Sequence, residues 1–164
     1  MFKGVGTALI TPFKDNGKID FELYEKILDR QIENDIDALV VLGTTGESPT
    51  VHFEERKTLT EMTVSKADGK RPVIVGTGTN DTSKVIEMNE MAEKAGADGL
   101  LMVTPYYNKT SQQGLIDHYT YTASKTDLPI IAYNVPSRTG VNIEPETFKK
   151  MSDLEDNIVA IKEA

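Results

Sequence analysis

Six short apolar runs, rich in β-branched residues, recur along the chain at intervals of about 30 residues. They are Thr7–Ile10, Ala38–Leu42, Val73–Val75, Leu100–Val103, Ile130–Ala132 and Ile158–Ile161. None alternates apolar with polar residues. A strand with one wet face would alternate, whereas a strand covered on both faces reads as a continuous apolar run. The runs therefore predict parallel strands flanked by helices.

The intervening segments carry helical periodicity. Tyr24, Ile27, Leu28 and Ile32 fall on one face, with Glu22, Glu25, Lys26 and Arg30 largely elsewhere. His52-Phe-Glu-Glu55 predicts a helix start with acids in its first turn, where the helix dipole favours them. Val85, Met88, Ala92 and Ala95 predict a third helix, stopped by Gly96. Leu115, Tyr119 and Ala123 predict a fourth, and residues 144–151 a shorter fifth. The result is one α/β domain over residues 1–164. An open doubly wound sheet and a (β/α)8 barrel both fit such a pattern, and the near-constant period favours the barrel. Six strands are two short of closure, so the expectation is a truncated barrel containing about its first six strands.

Composition narrows the function. The net charge of the 164 residues is −8, and no basic stretch interleaved with aromatics appears, so nucleic acid is not an expected partner. There is no cysteine, hence no disulfide, thiolate metal site or thiol nucleophile. Two histidines, His52 and His118, make no metal-ligand cluster. No apolar run approaches the ~20 residues of a membrane span and no leader pattern opens the chain, so a soluble cytoplasmic protein is expected.

Chemistry is expected at the strand C-termini, where parallel α/β folds place their sites. The second run is followed by Gly43-Thr-Thr-Gly-Glu-Ser48 and the third by Gly76-Thr-Gly-Thr-Asn80. The fourth leads into Thr104-Pro-Tyr-Tyr-Asn108, the fifth into Tyr133-Asn-Val-Pro-Ser-Arg-Thr-Gly140, and the sixth into Lys162. A lysine closing a buried strand either snorkels to water or sits neutral in a dry pocket, where its amine is a nucleophile toward carbonyls. Gly43 to Gly46 form either a plain turn or a small nest of N–H groups for an anion. Gly76-x-Gly78 lacks the remainder of a dinucleotide fingerprint. Tyr133 reads as a core aromatic or a proton relay, Tyr106 and Tyr107 as packing or site residues, and Arg138 as a surface cation or a fork for a carboxylate.

Together, Gly43-Thr-Thr-Gly-Glu47, Val103-Thr-Pro-Tyr-Tyr-Asn108, Tyr133-Asn-Val-Pro-Ser-Arg-Thr-Gly140 and Ile161-Lys-Glu-Ala164 resemble the dihydrodipicolinate synthase family of class I aldolases. The resemblance runs from Gly4 to the last residue. It implies a (β/α)8 barrel, a lyase of lysine and diaminopimelate biosynthesis, and no metal or organic cofactor. The implied reaction condenses pyruvate with aspartate β-semialdehyde to 4-hydroxy-tetrahydrodipicolinate. By this resemblance Lys162 forms the imine with pyruvate, and Tyr133 moves protons above it. Thr44 links Tyr133 to Tyr107, which in the family comes from a neighbouring subunit. Thr45 holds the pyruvate carboxylate, and Arg138 receives the carboxylate of the aldehyde. The implied assembly is a homo-oligomer, a dimer of dimers. Lysine-sensing members use the positions of Ser48, Asn80 and Tyr106 with histidine and glutamate nearby; here Phe53, Arg56 and Lys84 stand there, which implies weak feedback inhibition. Sialic acid lyases and keto-deoxy-sugar aldolases share the lysine chemistry, but Thr44-Thr45 and the Arg138 turn favour the synthase. Family members run well beyond 164 residues, so a catalytically inactive piece is the third reading.

Overall fold

The computed structural model describes residues 2–164, and these form six strands alternating with helices. The chain divides into two compact units: residues up to Gly76 with Lys94–Asp98, and Thr77–Glu93 with Gly99–Ala164. A β-α-β succession makes most of its contacts between neighbours in sequence, so each half can close a core of its own.

The first unit contains β1 (Gly6–Ala8), α1 (Phe21–Glu33), β2 (Ala38–Val41), α2 (Phe53–Ala67) and β3 (Val73–Gly76). Its strands pair in parallel, with Thr7 opposite Leu39 and Val40 opposite Ile74. Asp20 caps α1 by accepting from the Leu23 N–H at 3.1 Å. Helix α2 starts where the acids predict it, and the Glu55 carboxylate accepts from the His52 N–H at 3.0 Å. Tyr24, Leu28 and Leu59 fill the space between helices and sheet, together with Leu39, Val41, Val73 and Val75. Burying each such side chain stabilises the unit by roughly 1.5–3 kcal/mol. The Tyr24 hydroxyl meets Thr63 Oγ1 at 2.7 Å, and burial pushes its pKa up to about 12.

The second unit contains α3 (Thr82–Lys94), β4 (Gly99–Val103), α4 (Gln112–Ala123), β5 (Ile130–Asn134), the short α5 (Pro136–Thr139), α6 (Pro145–Leu154) and β6 (Ile158–Glu163). Strands β4, β5 and β6 are parallel. Leu100, Met102, Ile130 and Ala132 are covered, as are Leu115, Tyr119 and Ala123 of α4 and Met151 of α6. Tyr119 donates to the Met102 carbonyl at 2.7 Å, which satisfies a phenol that burial would otherwise penalise. Helix α5 stands where the sequence suggests only a turn. Proline at its start and Gly140 at φ +70° beyond its end mark it as a single helical turn.

The β5–β6 pairing contains a bulge. Ile130 faces Ile158, but Ile131 faces Ala160, so β6 carries one extra residue there. Without it, Tyr133 would face Ile161. With it, Tyr133 faces Lys162 and Asn134 faces Glu163. One residue of slip exchanges the two faces of a strand, so this bulge decides which side Lys162 occupies.

Candidate functional site

Tyr133 and Lys162 are cross-strand neighbours at the C-terminal ends of β5 and β6. Paired residues on adjacent strands project to the same face. The Lys162 Nζ accordingly lies 4.1 Å from the centroid of the Tyr133 ring. That is cation–π range, and it holds the amine over an aromatic face. Tyr133 is 6 % exposed, which makes the ring a fixed floor. Lys162 itself is exposed. The expectation of a lysine shut in a dry pocket is therefore corrected: one side of the amine rests on the tyrosine, and the other is open. The strand runs far enough to carry Lys162 inside the sheet pairing, opposite Tyr133, with its side chain exposed.

On the opposite face of the same strand ends lies a network that the sequence did not announce. Asn134, only 2 % exposed, donates from Nδ2 to Asn142 Oδ1 at 2.9 Å and to the two Glu163 carboxylate oxygens at 3.2 and 3.0 Å. Its Oδ1 accepts from the Ile143 N–H at 2.9 Å, and its carbonyl accepts from the Ala164 N–H at 3.1 Å. Gln112 extends the network by donating to the Asn142 carbonyl at 2.8 Å. The available signal was the Asn after Tyr133 and the Glu after Lys162. Only the register shows that they meet.

Tyr107 and Arg138 also belong to this unit. Tyr107 sits in the β4–α4 loop at φ +71° and is 91 % exposed. A bulky residue with positive φ is strained, so the loop holds this side chain outward against its backbone preference. Arg138, on α5, is exposed. The two segments meet through Lys109, whose Cε would lie 2.9 Å from a Cβ built on Gly140. Tyr106 approaches Thr79 Oγ1 with its hydroxyl at 3.4 Å, and Asn108 Nδ2 donates to the Asn80 carbonyl at 3.3 Å. Gly78 leaves room for β4: a Cβ there would stand 2.2 Å from the Val103 nitrogen. The glycine serves close backbone packing against β4.

Thr44 and Thr45 lie in the first unit, in a 3-10 turn over Thr44–Gly46 after β2. Leu42 at φ +59° ends the strand and redirects the chain. The Gly46 N–H donates to the Gly43 carbonyl at 3.0 Å and the Glu47 N–H to the Thr44 carbonyl at 3.1 Å. Those bonds leave the Thr44 and Thr45 N–H groups as the leading donors of the turn. Both threonines are exposed. Thr11 Oγ1 donates to the Gly46 carbonyl at 2.7 Å from below. Behind the turn, the buried Arg56 guanidinium donates to the carbonyls of Val51 at 3.2 Å, Gly76 at 3.4 Å and Ser48. Lys84, on α3, pairs with Glu87 at 2.7 Å. Among the described residues no cluster of three His, Asp or Glu suits a metal ion, and no helix is long and apolar enough to cross a membrane.

Comparison with known proteins places this geometry. The model of the Dihydrodipicolinate synthetase family matches residues 1–164. The 4-hydroxy-tetrahydrodipicolinate synthase of Thermotoga petrophila is 56 % identical over 164 residues, 100 % of this chain and 55 % of the relative. The crystal structure of dihydrodipicolinate synthase from Thermotoga maritima matches with a TM-score of 0.96 at 55 % identity, covering 100 % of this chain and 55 % of that one. The chloride-inhibited dihydrodipicolinate synthase from Acinetobacter baumannii, solved in complex with pyruvate, matches with a TM-score of 0.97 at 40 % identity, over 100 % of this chain and 56 % of that one. The chain thus spans about half the length of the relatives it matches, and its strand–helix alternation is that of the first six strands of their barrel.

Proposed function

The chain belongs to the dihydrodipicolinate synthetase family, and from that premise we propose that it carries the imine-forming half-site of a 4-hydroxy-tetrahydrodipicolinate synthase. In this reading the free amine of Lys162 attacks the C2 carbonyl of pyruvate, water leaves, and a protonated imine remains. The imine acts as an electron sink, so the methyl carbon loses a proton and an enamine forms. The enamine carbon then bonds to the aldehyde carbon of aspartate β-semialdehyde. Cyclisation and hydrolytic release of Lys162 complete the cycle, and no metal or organic cofactor enters it.

The observation that carries the reading is the Lys162 amine 4.1 Å above the buried Tyr133 ring. That contact fixes the nucleophile in direction while leaving one side open to a carbonyl. It also sets a phenol beside the reacting nitrogen, suited to proton transfer over short range. The pyruvate complex of the Acinetobacter relative supports the same ligand class. Thr45 is given the carboxylate of pyruvate, through the N–H groups of its turn, and Thr44 the hydroxyl link in the proton path from Tyr133 to Tyr107. Arg138 is given the carboxylate of the second substrate. The outward, strained Tyr107 is the residue offered to a second copy of the chain in a homo-oligomer. Lysine feedback is weak in this reading, because Arg56 is committed to backbone carbonyls and Lys84 brings a like charge toward a lysine ligand.

Incubation with pyruvate, borohydride reduction and intact-mass measurement test the proposal. The expected result is one reduced pyruvyl adduct, mapped to Lys162 and absent from Lys162→Ala. A folded protein without adduct, or an adduct on another lysine, overturns it. Turnover on addition of aspartate β-semialdehyde, rather than a sugar-acid aldehyde, separates the synthase from the related aldolases.

A further inference from the structure

We propose that Asn134 and Glu163 are a positioning pair that locks the register of β6 beyond its bulge and so places Lys162 over Tyr133. The inference deepens the imine-forming reading and rests on it for its catalytic consequence. Its structural part stands alone.

The argument starts from the bulge. A strand carrying one extra residue has two near-equivalent ways to pair its end, because the bulge can migrate or be expelled. Here the bulge lies between Ile130 and Ile131 of β5, and the residues after it pair as Ala132 with Ile161, Tyr133 with Lys162 and Asn134 with Glu163. A slip of one residue would put Ile161 or Glu163 opposite Tyr133 and turn Lys162 to the other face. Backbone hydrogen bonds alone discriminate weakly between these registers, since every residue offers the same N–H and C=O.

The Asn134–Glu163 contact discriminates. It is a charge-assisted, three-centre hydrogen bond from one amide N–H to both carboxylate oxygens, matched to the observed register. Asn134 cannot follow a slipping strand. It is buried, its Oδ1 is held by the Ile143 N–H, and its Nδ2 also donates to Asn142. Glu163 therefore ties the mobile partner to an immobile one. Successive residues on a strand project to opposite faces, so pinning Glu163 on one face aims Lys162 at the other.

The test uses 13C-lysine-labelled chain with Glu163→Ala, Glu163→Gln and Asn134→Asp. The first readout is the Lys162 ε-methylene resonance, which the Tyr133 ring current moves upfield of the other lysines. It is expected to return to the ordinary lysine position in Glu163→Ala and to stay shifted in Glu163→Gln, whose amide oxygen still accepts from Asn134. Asn134→Asp, which opposes two carboxylates, is expected to behave like Glu163→Ala. Glu163 is exposed, so its variants keep the core intact. The second readout is pyruvate trapping. Its maximal rate is expected to fall about tenfold or more in Glu163→Ala, with the half-saturating pyruvate concentration changed less than about twofold. Glu163→Gln is expected to restore most of the rate. An unmoved ε-methylene resonance in Glu163→Ala overturns the positioning role. A normal ring-current response with no trapping in the parent chain supports the register lock and overturns the imine-forming reading instead.

Discussion

In the proposed reaction, the turn after β2 and the paired ends of β5 and β6 solve the same problem by different means. In the first, the groups offered to a ligand are backbone N–H groups of Thr44 and Thr45, and the turn is braced from behind by Thr11 and Arg56. In the second, the offered group is a flexible amine, and it is aimed by strand register, an aromatic floor and the Asn134–Glu163 contact. A backbone donor needs a rigid loop, because it has no rotamers of its own. A lysine has four rotatable side-chain bonds, so it needs constraint close to its tip and at its Cα together. The comparison teaches that side-chain identity matters most in the second unit, and support of main-chain shape in the first.

The strongest way to break this contrast is at the phenol. Tyr133→Phe keeps the ring beneath Lys162 and removes only the hydroxyl. Imine trapping is expected to slow on the order of 10³-fold while thermal stability changes little, as stopped-flow quench and calorimetry would show. A rate close to that of the parent would mean that the ring alone suffices.

Arg56→Ala attacks the brace of the other region. The Ser48, Val51 and Gly76 carbonyls lose a charged donor in a buried setting. A loss of about 3–4 kcal/mol in urea unfolding is expected, with the half-saturating pyruvate concentration rising more than the maximal rate falls. Equal effects on both parameters would erase the distinction between the two regions.

His118 tests the second unit's scaffold rather than its site. Its ring is buried on α4, with Nδ1 2.9 Å from Thr82 Oγ1, and burial lowers its pKa from 6.5 to about 4. The folded chain thus resists a proton that the unfolded chain takes up from pH 6.5 downward. Stability contributed by this group is full above pH 6.5 and falls as pH drops toward about 4, by up to about 3 kcal/mol. His118→Gln is expected to flatten that part of the stability profile, read by denaturation at a series of pH values.

The smallest effect is expected at Thr104, just beyond β4, with a fully buried hydroxyl that has no hydrogen-bond partner among the described residues. Thr104→Val replaces it with a methyl of the same shape. A gain of about 1 kcal/mol is expected, measurable as a higher melting temperature. No gain would show that the hydroxyl is satisfied by water.

Much of the architecture was legible because burial on two faces leaves a plain trace. Each apolar run coincides with a strand at least in part, and the strands end differently: β1 stops at Ala8 and β2 at Val41, while β5 and β6 reach Asn134 and Glu163. That pairing runs on through Asn134 and Glu163 was not visible, because Asn and Glu are poor markers of a strand, and tertiary pairing overrides propensity there. Helix α5 was hidden for the opposite reason, since one turn is too short to show periodicity. Reading what comes after each strand put Tyr133 and Lys162 at one end of the sheet, and the family resemblance implied that they are neighbours. Their cation–π contact and the openness of Lys162 were not legible.

The sequence by itself determined the β-α alternation, the two-sided burial of its strands and the inventory of reactive groups, because these depend on residue type and local spacing. Tertiary structure alone decided which face each group occupies. A single extra residue in β6 moves Lys162 from one side of the sheet to the other, and no pattern of hydrophobicity records it. Register is a property of two strands at once, fixed where the buried Asn134 meets Glu163, and a one-dimensional string carries that choice only implicitly.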